Sequence, residues 1–156
     1  MIPLLLLYHF LNKLGHHCTV ISPTNWADFL NWMPACDKVL DYESPANKAD
    51  VLIDEADWIF CLDFNILSRT KRMEEKLRLA KGDRILIDHH REPQTAVFAF
   101  GESDVNKSST AEMVFDLIVE SGNIDKIDAI IGECLYAGVM TDTGSFRFPS
   151  TKASVH

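Results

Sequence analysis

The feature that most restricts the fold is a pair of short, continuous apolar runs, each closed by an aspartate. Trp58-Ile59-Phe60-Cys61-Leu62 stops at Asp63, and Ile85-Leu86-Ile87 stops at Asp88. A strand with one wet face alternates apolar and polar residues. A run without alternation suits a strand covered on both faces, as in a parallel sheet. Parallel neighbours need a crossover, and a charged helical stretch over residues 67–80 lies between the two runs. The expected class is therefore α/β: an open, mainly parallel sheet with helices on both faces.

The remaining pattern fits that class. Cys18 to Ile21 and Lys38 to Tyr42 read as short strands, and Ala96 to Phe100 as a strand near an edge. Trp26, Phe29, Leu30 and Met33 fit a short amphipathic helix. Ser44-Pro45 starts another that runs to about Glu55. Ser109-Thr110-Ala111-Glu112 is a capping box, followed by the stripe Ala111, Val114, Phe115 and Ile118 and a stop at Ser121-Gly122. Ile124 to about Met140 is a last helix. Gly138 interrupts its end, which leaves Thr141-Asp142-Thr143-Gly144 as a loop. The apolar start, Met1 to Leu11, is shorter than the ~20 residues that span a bilayer and lacks a charged leader. It reads as a buried first helix. Trp26, Trp32 and Trp58 each sit in an apolar pattern and are expected in the core.

At 156 residues the chain has the length of one domain, 1–156. Its 15 basic and 23 acidic residues leave a formal charge of −8. That balance speaks against a duplex-DNA binder or a membrane-surface protein, and a cytoplasmic location is expected. Cys18, Cys36, Cys61 and Cys134 show no C-x-x-C spacing, so zinc-ribbon and thioredoxin readings have no support. They read as free thiols.

In open α/β sheets, ligands bind beyond the carboxyl ends of the strands. Asp63 and Asp88 fall there, and Asp88 leads directly into His89-His90. Asp142 supplies a third carboxylate. Carboxylates with imidazole and no thiolate suit Mn²⁺ or Mg²⁺. Each residue also has a plain alternative: an aspartate after a strand often caps or turns the chain. His16-His17 reads as an exposed turn. Arg69, Lys71, Arg72, Lys76, Arg78 and Lys81 read as a solvated face with internal ion pairs. Arg69 and Arg91, near Asp63 and His90 in sequence, are candidates for contacting a substrate phosphate.

Asp88-His89-His90 together with the stretch Tyr136 to Phe148 resembles the DHH phosphoesterase superfamily. The nearer likeness is to its bacterial branch of bifunctional oligoribonucleases and 3′-phosphoadenosine 5′-phosphate phosphatases. Phe60-Cys61-Leu62-Asp63-Phe64-Asn65 is similar to the family's second motif, and Ser108-Ser109-Thr110-Ala111-Glu112 to a stretch between its third and fourth. The likeness runs from Leu6 to Thr151. It implies a two-manganese phosphodiesterase or phosphatase acting on short RNA or a nucleotide. Asp63 would bridge the metals, and His89 and Asp142 would bind one of them. His90 would face the scissile phosphate, and Asp88 would orient its neighbours. Two cations ~3.5–4 Å apart lower the pKa of water and neutralise phosphate charge for in-line attack.

Two departures from the family pattern shape the expectation. The family's first motif, a His followed by two Asp on a strand before the first helix, has no counterpart in this sequence. Its C-terminal substrate domain, with a Gly-rich, His-containing motif, has none either. The resemblance therefore implies a partial domain with its first strand missing and one weak Mn²⁺ site in place of two. Such a chain is expected to be poorly stable or dependent on a partner. Three functions stay open at this point: a Mn²⁺-dependent oligoribonuclease or nucleotide phosphatase, a truncated non-catalytic domain, and a pyrophosphatase or cyclic-dinucleotide phosphodiesterase.

Overall fold

The computed structural model describes residues 1–44, 46–149 and 151–153. Its centre is the pair of apolar runs. β3 (Trp58–Leu62) and β4 (Asp83–Asp88) lie parallel, with Phe60 opposite Ile85 and Leu62 opposite Ile87. β5 (Phe100–Ser103) continues the sheet in parallel on the far side of β4, at the edge. It starts later than expected, because Thr95–Val97 form a 3₁₀ turn. Gly101 has φ +122°, and a Cβ there would lie 2.0 Å from the Leu86 carbonyl oxygen, so β5 approaches β4 at a place only glycine fits.

Helices cover both faces. On one face α1 (Ile2–Lys13), α4 (Thr110–Glu120) and α5 (Ala129–Asp142) pack with Leu62 and Ile87 around the fully buried Leu5, Leu6, Val114, Ile118 and Ile131. On the other, α2 (Ala46–Glu55) and α3 (Glu74–Leu79) close over Ile59 with Ile53, Leu67, Met73 and Leu77. α1 is the buried first helix the sequence implies. The start expected at Ser44-Pro45 involves Pro45, which lies outside the described residues. The capping box forms as read: the Ser109 hydroxyl accepts the Glu112 N–H at 3.0 Å, and Glu112 Oε2 accepts the Ser108 N–H at 2.7 Å.

Several expectations need correction. The stretch 67–80 is not one helix: Leu67–Met73 is 3₁₀ and is broken at Lys71, which has φ 54° and ψ −118°. Around Trp26 to Met33 there is only a 3₁₀ turn, Asp28–Leu30, with Met33 buried and Phe29 exposed. Gly138 does not interrupt α5. The helix runs on to Asp142, and a Cβ on Gly138 would lie 2.5 Å from the Ala111 Cβ, so this glycine permits the close α4–α5 contact. Trp32 and Trp58 are about 60% exposed, not core; Trp58 stacks on Phe100 instead.

The strands expected at 18–21 and 38–42 shrink to β1 (Ile21–Ser22) and β2 (Leu40–Asp41), a separate parallel pair. Among the described residues β1 pairs with β2 alone and β3 with β4 alone. A cleft of about 1350 Å³ has walls that include Val20, Ile21, Ile59, Phe60 and Cys61, with Met1 and Asp63 also lining it. Residues of β1 and β3 thus line one groove.

Candidate metal centre

Asp63 follows β3 directly and adopts a left-handed backbone, φ 66°. Aspartate tolerates that conformation better than most residues. Its N–H still donates to the Ile87 carbonyl at 3.2 Å, which ties the turn to the end of β4. Its Oδ1 accepts the Thr110 hydroxyl at 3.0 Å. This carboxylate therefore stands at the strand ends, facing the first turn of α4.

Asp88 ends β4 and is completely buried. One of its oxygens accepts the His90 N–H at 2.9 Å, and the other lies 2.7 Å from His90 Nδ1. An ionised carboxylate only accepts, so the ring proton sits on Nδ1 and Nε2 faces away from Asp88. His89 is set by a different partner: its Nδ1 lies 3.3 Å from the Lys107 carbonyl oxygen, which also requires a proton on Nδ1. Its Nε2 then points to Asp63, 3.8 Å from Oδ1. The two rings meet edge to face, with centroids 4.7 Å apart.

The result is a cluster in which Asp63, His89 and His90 each offer a ligand atom within 4.8 Å of the others. Among the described residues it is the one such group. Asp142, the last residue of α5, lies outside that group but is electrostatically coupled to it. Burial pushes its carboxyl up to about 6; the charge of Asp63 adds to this, and His89 opposes it. Its Oδ2 is buried with no hydrogen-bond partner among the described residues. An orphaned carboxylate oxygen beside a carboxylate and two imidazoles is the donor chemistry of a divalent cation. The residues fit a bound metal, which Asp63 and His89 would hold with Asp142 close by. The thiols take no part: Cys61 and Cys134 are buried, and burial pushes them up to about 12 and about 11.

Arg69 is exposed and shares the cleft wall with Asp63. Arg91 is also exposed; its carbonyl accepts the Asn65 Nδ2 at 2.7 Å, which ties its loop to the turn after Asp63. The rest of the basic stretch is partly paired, with Lys76 on Asp54 at 2.6 Å and Arg78 on Glu74 at 2.7 Å. His16 and His17 are exposed. Two contributors escape a reading of the sequence. Thr110 lies inside the capping box, in a stretch similar to one the family carries, but neither pattern assigns its hydroxyl a partner. The Lys107 carbonyl has no signature, since every residue carries one.

Fold and site define a parallel α/β domain with a carboxylate–imidazole cation centre at its strand ends. The chain belongs to the DHH family: the family's N-terminal domain matches residues 2–139. The crystal structure of an exopolyphosphatase-related protein from Bacteroides fragilis superimposes with a TM-score of 0.95 at 41% identity, over 99% of this chain and 45% of that one. The uncharacterized protein MG371 of Mycoplasma genitalium is 35% identical over 108 residues, 69% of this chain and 32% of the relative. Its homolog in Mycoplasma pneumoniae is 36% identical over 89 residues, 56% of this chain and 26% of the relative. The chain thus spans about a third or less of those relatives and under half of the solved structure. Among the described residues no helix is long and apolar enough to cross a membrane. The chain is a domain of the DHH phosphoesterase family.

Proposed function

We propose that this domain binds a divalent cation, Mn²⁺ in preference to Mg²⁺, and serves hydrolysis of short oligoribonucleotides or 3′-phosphoadenosine 5′-phosphate. The observation that carries the reading is the convergence of Asp63, His89 and His90, with the His90 ring tied to a fully buried Asp88. The His89 imidazole nitrogen in the ligand set favours Mn²⁺ over Mg²⁺, which prefers all-oxygen ligands. Asp63, His89 and Asp142 would hold the cation, which when bound neutralises phosphate charge and makes water a better nucleophile. His90, oriented by Asp88, presents Nε2 to the scissile phosphate as a hydrogen-bonding and proton-transfer group. Arg69, which shares the cleft wall with Asp63, and Arg91, next to His90 in the chain, would meet phosphate oxygens.

The test is Mn²⁺-dependent hydrolysis of a labelled RNA dinucleotide and of 3′-phosphoadenosine 5′-phosphate, with Asp63→Ala and His89→Ala as controls. Turnover lost in both controls supports the reading. Three further substrate arms are needed. The Bacteroides neighbour is described as exopolyphosphatase-related, so tripolyphosphate belongs in the panel as a second reading, with pyrophosphate and a cyclic dinucleotide beside it. Asp63, His89 and His90 are the one such ligand group among the described residues. Cation binding without turnover on any substrate would make this a binding domain rather than a catalyst.

A further inference from the structure

We propose that Thr110 is a positioning residue that aims the Asp63 carboxylate at the cation. The inference rests on the reading of Asp63 and His89 as cation ligands. Asp63 lies just past the end of β3 in a left-handed turn, so the strand does not fix where its carboxylate points. The Thr110 hydroxyl, fully buried at the first position of α4, donates to Oδ1 at 3.0 Å. That is the same oxygen that His89 Nε2 faces at 3.8 Å.

Three residues earlier, the Lys107 carbonyl holds the His89 ring by Nδ1 at 3.3 Å. One short segment, Lys107 to Thr110, therefore orients a carboxylate and an imidazole that come from two different strands. The segment is itself rigid. The Ser109 hydroxyl accepts the Glu112 N–H, Glu112 Oε2 accepts the Ser108 N–H, and the Lys107 ammonium is paired with Asp116 at 2.6 Å. Partners that hold a ligand from behind set its geometry and affinity, and their loss typically costs 10–100-fold.

Thr110→Val keeps the shape and removes the hydroxyl, and Thr110→Ser keeps the hydroxyl and removes the methyl. Mn²⁺ binding is read by calorimetry and by the fall of the free-ion paramagnetic resonance signal, with circular dichroism and Tm of the metal-free proteins alongside. Thr110→Val should bind about tenfold or more weakly, and Thr110→Ser should stay within about threefold of wild type. All three metal-free proteins should share one spectrum. Equal affinity of Thr110→Val and wild type, where Asp63→Ala has lost binding, overturns the role of Thr110 and leaves the cation site standing. A Thr110→Ser as weak as Thr110→Val overturns it too, because packing rather than the hydroxyl would be at work. Wild type that binds no Mn²⁺ overturns the cation reading and this inference together.

Discussion

Asp88 and His90 close a ring on themselves: one carboxylate oxygen takes the His90 backbone N–H at 2.9 Å while the other meets its Nδ1 at 2.7 Å. Because Asp88 is fully buried at the end of β4, the sheet itself fixes the tautomer and tilt of this imidazole. Asp88→Asn keeps the shape, but an amide matches the pair only through one oxygen. The expected result is a loss of about 10–100-fold in turnover with Mn²⁺ affinity changed only a few-fold. Nitrogen NMR of the labelled ring checks the cause directly: wild type should show Nδ1 protonated, and Asp88→Asn a mixture of tautomers. A variant with unchanged tautomer and unchanged turnover would remove the role given to Asp88.

Gly138 supplies a test in which two effects oppose. On propensity alone, glycine to alanine inside α5 should stabilise by about 1 kcal/mol. Here the new methyl would lie 2.5 Å from the Ala111 Cβ, between two fully packed helices. Separating them costs about 1–3 kcal/mol by overpacking, so the net effect of Gly138→Ala is destabilisation. Urea denaturation measures it, and a midpoint above wild type would show that α5 slides away freely.

How much of this was legible in the sequence depends on the kind of signal. β3 and β4 announced themselves because a doubly covered strand must be apolar at every position, and the aspartates that close them are where such sheets carry ligands. The cap of α4 was legible for the same reason: Ser109 and Glu112 are side-chain partners at a fixed spacing. What stayed hidden was set by backbone or by neighbours. Lys71 carries no mark of its positive φ. Gly138 looked like a helix breaker because the sequence does not reveal the Ala111 that faces it. Trp58 was apolar in an apolar run, yet it is the first residue of β3 and is exposed, while burial increases toward Leu62. In the centre, Asp63, Asp88, His89 and His90 were readable from strand ends. The Lys107 carbonyl was not, since no side chain encodes it.

The cleft lined by β1 and β3 predicts how the chain behaves in solution. Among the described residues β1 and β3 each have a single strand neighbour, both line this cleft, and a strand edge without a neighbour is a template for pairing with another chain. The chain should associate as its concentration rises and should melt at a low temperature. Light scattering over a concentration series checks this. Trp58→Lys places a charge on an exposed position of β3 and should reduce the association without unfolding the sheet. A chain that stays monomeric at high concentration with a high, cooperative Tm would mean that the edges are satisfied.

Asp142 makes stability depend on pH in an unusual direction. Burial first, and then the charge of Asp63, push its carboxyl up to about 6, partly offset by His89. The folded, metal-free protein therefore holds this proton more tightly than the unfolded chain does. Its stabilising contribution is complete below the ordinary carboxylate range and is lost as pH rises through about 6. The loss is on the order of 2–3 kcal/mol. Asp142→Asn has no such proton to lose, so the Tm of this variant minus that of wild type should grow between pH 4 and about 7. Added Mn²⁺ should reverse the order above pH 6, because the ionised wild-type carboxylate gains a cation that the amide holds poorly. A Tm difference that stays flat with pH would mean that Asp142 titrates as an ordinary surface acid. A reversal absent with Mn²⁺ would separate Asp142 from the cation that Asp63 and His89 hold.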